Sequence, residues 1–157
     1  MKRSSESGMS VIVRTVTCVA AIPVIIFGLY VIMHGHLTPG GGFAGGAIIA
    51  TMTALFIVAE GGDAADRLGR GMLLTAESAG LVLFALLAFL GLRTTFFYNF
   101  LANSGSIFGT QVPFGPNPGY LETAGVIPLM NLVVGLEVFA ALSLVVIFMF
   151  SYRREEQ

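Results

Sequence analysis

Residues 34–46 read His34-Gly-His-Leu-Thr-Pro-Gly-Gly-Gly-Phe-Ala-Gly-Gly46, and long apolar runs close in on them from both sides. Glycine lacks a Cβ, so such a run lets backbones approach closely and turn where bulkier residues resist. Flexible linkers are solvated and rich in serine; this segment contains no serine and its flanks leave it no slack. It reads as a tight turn between two helices that pack densely against something.

Working outward, the flanking runs are Val11 to Met33 and Phe43 to Ala59, and two more follow at Met72 to Leu92 and Ile127 to Phe150. Each is roughly 17 to 24 residues, about enough to cross a hydrocarbon core of ~30 Å as a helix. Composition agrees: of 157 residues, 55% are hydrophobic and only 11% charged, against about 25% charged in a globular domain, and the mean hydropathy is +0.87. Backbone polar groups must be satisfied within lipid, which helices achieve internally. The expectation is an all-α, multi-pass integral membrane bundle of four transmembrane helices, forming a single membrane domain over residues 1–157.

Lys2 and Arg3 ahead of an apolar run resemble the start of a secretory signal. The run exceeds a typical signal core, however, and leads into His34-Gly-His without a small-x-small cleavage site, so it reads as a retained first helix. Cys18 is the sole cysteine, which excludes a disulfide framework and paired metal-binding thiols.

Basic residues orient the bundle. With a cytoplasmic N-terminus, that side receives Lys2, Arg3, Arg14, Arg67, Arg70, Arg153 and Arg154, and the other side only Arg93. The positive-inside rule then predicts that both termini are cytoplasmic and that the glycine turn and the segment 93–125 face outward. The net charge of -1 carries no nucleic-acid footprint. Glu60 to Arg70 is short and balanced in sign, as expected of a solvated connector with a brief helical turn. The outer segment instead holds Phe96, Phe97, Tyr98, Phe100, Phe108, Phe114 and Tyr120 together with Pro113, Pro116 and Pro118. It is aromatic and incapable of continuous helix, which suggests a surface that covers, or is covered by, another subunit.

Gly40, Gly42 and Gly45 formally satisfy the G-x-G-x-x-G pattern of dinucleotide sites, with Glu60 near the ribose-binding position. The preceding segment is a membrane-length helix where that motif needs a strand, so the context excludes it. A better role is packing: Gly42, Gly46, Ala50 and Ala54 place small residues on one stripe of the second helix, which permits close helix approach. His34 and His36 offer two metal ligands without a third at suitable spacing. Capping the end of the first helix is the simpler reading, although imidazoles also pass protons near neutral pH.

The intramembrane carboxylates are the sharpest chemical feature. Glu77 lies about a turn and a half inside the third helix and Glu137 near the middle of the fourth. A charge at helix centre costs roughly 2.5 to 3.5 kcal/mol on insertion scales, so such residues face protein or water and mark ion or proton paths. Ala140 and Ala141 leave room beside Glu137 for a partner helix or water. The alternatives are a structural interhelical hydrogen bond for Glu137 and an acid reaching solvent for Glu77. Asn131 does not share the face of Glu137 and reads as a helix-bundle contact.

The segment His34–Gly46 closely resembles the G-H-x-x-P-G-G-G-F-x-G-G signature of the B subunit of Mrp (also called Mnh) multisubunit sodium/proton antiporters. Gly125-Val-Ile-Pro-Leu-Met-Asn-Leu-Val-Val-Gly-Leu-Glu-Val138 is similar to the same family's second motif. Related subunits occur in membrane-bound hydrogenases. The resemblance implies a small accessory subunit, not itself an enzyme, in a cytoplasmic-membrane complex that exchanges sodium for protons. Its partners would be the other subunits and membrane lipids, with Na+ and H+ transported by the whole complex. It would carry no cofactor and no metal, and the main proton machinery would lie in larger subunits. By the same carry-over Pro39, Gly40, Gly41, Gly42 and Phe43 are motif positions, with Gly45, Gly46 and Asn131 joining them in helix packing. Glu137, Glu77, His34 and His36 are the candidates for an ion or proton path; Glu77 rests on the membrane cost alone. A purely structural assembly role is the alternative.

Overall fold

The computed structural model describes residues 9–61, 67–91, 95–113 and 119–155. Four helices are long and apolar enough to cross a membrane: α1 (Val11–Met33), α2 (Gly42–Glu60), α3 (Arg70–Leu90) and α4 (Ile127–Glu155). The third begins two residues before the expected run, and the fourth continues past it through Ser151, Tyr152 and Arg153. Of the sequence readings, those on Lys2, Arg3, residues 62–66 of the connector Glu60 to Arg70, Arg93, Phe114, Pro116 and Pro118 lie outside the described residues.

The helices form a row more than a closed square. α1 packs on α2, α2 on α4, and α4 on α3, with a lighter contact between α1 and α4. The last helix in sequence is therefore central, and α3 stands at the edge with α4 as its main neighbour. In the half that holds the α2 C-terminus, Ile57, Leu73, Ala140, Leu144 and Ile147 form one buried cluster joining α2, α3 and α4. Above it, buried Thr53 and Ser143 share a hydroxyl hydrogen bond of 2.9 Å between α2 and α4. Such bonds act as polar glue between membrane helices, at about 0.6 kcal/mol on average. Arg70 pins the first turn of α3 to α4, donating to the Ser151 hydroxyl and lying 5.5 Å above the Phe148 ring. The connector carries a surface ion pair, Arg67 to Glu60 at 3.8 Å.

The segment between α3 and α4 folds back onto α4 and carries a single 3-10 turn, Leu121–Thr123, among its described residues. Asn99 is its staple: the side-chain amide donates to the Ala124 carbonyl at 3.0 Å, and its oxygen accepts from the Val126 N–H at 2.9 Å. Between these two bonds sits Gly125 at φ +62°, where a Cβ would strike Asn99. Phe96 and Phe97 pack edge to face at 4.9 Å and reach Phe89 and Phe84 of α3 at 5.2 and 5.6 Å. Part of the expected aromatic surface thus lies against the end of α3, yet Phe96, Phe97, Tyr98, Phe100 and Tyr120 all remain exposed.

Candidate functional site

α1 ends in a cap built by one histidine. The His34 backbone N–H and its ring Nδ1–H both donate to the Tyr30 carbonyl, each at 3.0 Å, and the ring stacks on Tyr30 at 4.0 Å between centroids. The chain then turns through the glycines. Gly41 has φ +88°, a left-handed conformation that L side chains rarely adopt. At Gly42 the demand is space: a Cβ would lie 2.9 Å from the Val134 Cβ, 3.0 Å from the Gly135 N, and closer still to the Asn131 carbonyl. One turn on, a Cβ at Gly46 would lie 2.5 Å from the Gly135 carbonyl. Gly45 faces the other way, against Gly28 of α1, and buried Ile32 fills the notch beside Gly45 and Gly135. The small stripe of α2 therefore serves α4, and an adjacent glycine serves α1.

Not every motif position packs inward. Phe43 is 66% exposed and Pro39 is also at the surface, so neither joins the internal contact. Asn131 does: its side-chain oxygen would lie 3.4 Å from a Cβ at Gly41, and its Nδ2 2.6 Å from one at Gly35. His36 turns away from His34. Its Nε2–H donates to the Tyr120 carbonyl at 3.3 Å, leaving Nδ1 as a buried acceptor without a partner; Asn131 Nδ2 is a buried donor in the same condition. The histidines hold different carbonyls, and among the described residues no group of three His, Cys, Asp or Glu is placed to bind a metal.

The carboxylates form a second locus, on the neighbouring helices α3 and α4. A Cβ on Gly80 would lie 2.8 Å from the Glu137 Cβ. Gly80 is midway along α3, so Glu137 sits at the middle of the span. Glu77 precedes Gly80 by three residues, about 4.5 Å along the axis. Both glutamates are half-buried, and among the described residues no hydrogen bond or ion pair reaches either carboxylate. Ala140 is fully buried in the core cluster, where the room it leaves is taken by the neighbouring helices α2 and α3; Ala141 is half-buried. Asn131 faces the glycine turn and Glu137 faces Gly80, so they lie on different sides of α4.

A family model described as the domain related to the MnhB subunit of Na+/H+ antiporter matches residues 12–144. The chain belongs to this family. The MnhB match takes in the glycine turn, Asn131, Glu77 and Glu137. Among similar proteins, an uncharacterised protein of Methanocaldococcus jannaschii is 35% identical over 123 residues, 78% of this chain and 45% of that one. A Staphylococcus haemolyticus protein named as the antiporter subunit mnhB2 is 43% identical over 49 residues, 31% of this chain and 35% of that one. Among solved structures, a chain of the membrane-bound sulfane sulfur reductase, an archaeal respiratory membrane complex, superposes with a TM-score of 0.70 at 29% identity. That match covers 94% of this chain and 61% of the other, so this chain spans under two thirds of each of these relatives.

Four parts of the MnhB-type arrangement escaped sequence reasoning: Gly28, Gly80, Asn99 and the Thr53–Ser143 pair. Gly28 stands between Phe27 and Leu29, and Gly80 follows Ala76, Ser78 and Ala79, but neither setting names the helix that packs against it. An asparagine directly after the aromatic run Phe96-Phe97-Tyr98, followed much later by Ala-Gly-Val, carries no local signal of a staple. Thr53 does fall one residue from the Ala50–Ala54 stripe, which places it on the packed side of α2.

Proposed function

We propose that this chain is an accessory subunit of a multisubunit cation/proton antiporter, contributing to assembly through the glycine turn and part of an ion route through Glu137. The family match over residues 12–144 carries this reading, because it encloses both loci. The geometry supports it in two ways. The densest helix contact joins the glycine motif to α4, as suits a rigid scaffold, and an unpaired carboxylate stands at mid-span, where charge is costly unless used. His36 and Asn131, each with an unpartnered buried atom at the glycine-turn end, are the candidate entry groups. Affinity isolation of the tagged chain in mild detergent tests the reading. The expected product is a large complex that restores Na+/H+ exchange in vesicles; recovery of a lone small protein from membranes that exchange normally overturns it.

A second reading has its own support. The superposition on a respiratory reductase complex fits an equivalent subunit in a redox-driven membrane complex, hydrogenases included. Copurification with iron–sulfur subunits, and no sodium-dependent exchange, selects that reading.

The proposed orientation places both ends of the bundle in the cytoplasm and the glycine turn outside, in the cell membrane. After Cys18→Ser, single cysteines at the exposed positions Met9, Leu37 and Arg67 report it through a membrane-impermeant thiol reagent. Labelling of intact cells at Leu37→Cys alone is expected. Labelling at Arg67→Cys and not at Leu37→Cys reverses the orientation.

A further inference from the structure

Glu77 and Glu137 stand on the same side of the seam between α3 and α4. The contact of Arg70 with Phe148 fixes this, because those two residues mark one side of the seam at the start of α3. Glu77 follows Arg70 by seven residues and Glu137 precedes Phe148 by eleven. On a helix of 3.6 residues per turn both spacings return to within about 20° of the starting direction, so the two glutamates line that same side. α2 closes the other side through Ser143, about 120° round α4 from Glu137.

Gly80 brings the pair within reach. A Cβ there would lie 2.8 Å from the Glu137 Cβ and 3.3 Å from the Glu137 Cα, so any side chain at this position forces α3 and α4 apart. Cβ positions three residues apart on one helix are about 5–6 Å from each other, which sets the Glu77 and Glu137 Cβ atoms no more than about 9 Å apart. The Cγ and carboxyl of each glutamate can cross the remainder to hydrogen-bond distance. The residues one turn to either side of each glutamate are leucine, valine, alanine or glycine, without a side-chain oxygen, and mid-helix carbonyls are engaged in helix hydrogen bonds. Hard metal cations gather about six or more oxygen ligands, more than two carboxyls hold. A proton needs one lone pair. Among the described residues, α1 and α2 bring no titratable group to this seam: Arg14, Cys18 and Tyr30 are exposed on α1, and Glu60 ends α2. On α3 and α4, Arg70, Tyr152 and Arg153 stand at or near the helix ends.

We propose that Gly80 is a positioning residue: it seats Glu137 beside Glu77, so that the two carboxyls hold one proton between them and pass it from one to the other. The Glu77 O–H bond breaks with its electron pair left on that oxygen, the proton bonds to the Glu137 carboxylate, and the reverse step restores the start. The pair keeps one negative charge at mid-span where two would stand, and such charges are costly there.

The inference rests on the reading of Glu137 as part of an ion route, and it names the proton as what moves between the glutamates. The test uses the intact complex in vesicles, with rates taken per assembled complex. Glu77→Gln and Glu137→Gln are each expected to lower sodium-dependent proton exchange roughly tenfold or more, and the double substitution to lose no more than the worse single one, as for groups that act as a unit. Gly80→Ala should shift the proton concentration of half-maximal exchange about threefold or more, since small misplacements of reacting groups are costly, and leave the apparent sodium affinity unchanged. Gly71→Ala, where a Cβ would meet nothing within 4 Å, should change neither. Losses that multiply in the double substitution, an unchanged proton dependence in an assembled Gly80→Ala complex, or a weakened apparent sodium affinity in Glu77→Gln each overturns the proposal. Where Gly80→Ala does not assemble, the two glutamine variants and their combination decide. Normal exchange by Glu137→Gln sinks the ion route itself, whereas an inactive Glu137→Gln beside a normal Glu77→Gln sinks the shared proton alone.

Discussion

Gly42→Val is expected to remove nearly all full-size complex from the membrane. The first carbon of the new side chain already falls 2.9 Å from the Val134 Cβ and 3.0 Å from the Gly135 N, and still nearer the Asn131 carbonyl. Backbone atoms cannot swing aside as a side-chain tip can, and valine adds two further methyls to the same place. Overpacking of this kind costs about 1–3 kcal/mol or more, which corresponds to roughly a tenfold to hundredfold loss in an assembly equilibrium. Gly41→Val reaches a similar end by a different route, since a Cβ there would make only ordinary contacts from 3.4 Å outward but φ +88° excludes a branched residue. Val19→Ile, on the exposed side of α1, is the matched control and should leave the complex unchanged. Native gels of solubilised membranes read all three. Gly42→Val complex of normal size and amount would show that α2 and α4 do not need their close approach.

The second large effect concerns Glu137, where two substitutions separate charge from shape. Glu137→Gln keeps the volume and most of the hydrogen-bonding capacity and abolishes the titratable group. Glu137→Ala also leaves a void against Gly80, in a contact where the two backbones are already close. If the carboxylate takes up and releases a proton or meets the transported cation, both variants assemble and both lose sodium-dependent proton exchange in vesicles, by tenfold or more. A structural glutamate gives the opposite order, with alanine impairing assembly and glutamine remaining nearly active. Normal exchange rates and unchanged apparent sodium affinity in an assembled Glu137→Gln complex remove this carboxylate from the ion route.

Much of the fold was legible because membrane helices announce themselves by length and hydropathy, and the turn between the first two is written in glycine. Of the stripe Gly42, Gly46, Ala50 and Ala54, the first three lie buried on the packed face of α2 and Ala54 is half-buried. What the stripe could not name was the partner, because the small residue that receives Gly42 and Gly46 is Gly135, far along the chain in α4. The same limit explains Phe43: motif membership gave it a packing role, yet it points outward at 66% exposure, toward lipid or a neighbour. Glu137 was readable from the cost of a mid-membrane charge, while its setting against Gly80 was not, since the small residues Ala76, Ser78, Ala79 and Gly80 mark a tight spot on α3 without naming its partner on α4. The histidines followed local rules, His34 as a cap within its own turn, whereas His36 depends on a carbonyl eighty-four residues away.

The placement of α4 between α2 and α3 has a consequence for biosynthesis. A chain emerging from the ribosome completes α1, α2 and α3 before α4 exists. The α1–α2 hairpin can close at once, since Gly28 and Gly45 meet across a short turn. α3 then waits in the bilayer with Gly80 uncovered, and the Gly42–Gly46 face of α2 waits as well. Insertion of α4 fills both vacancies in a single event, and the Asn99 staple then ties its leading end to the segment that follows α3. Integration of the last helix is thus the step that converts a hairpin and a lone span into one body, and a nascent chain stalled before residue 127 exposes two glycine faces to the membrane's quality-control proteases.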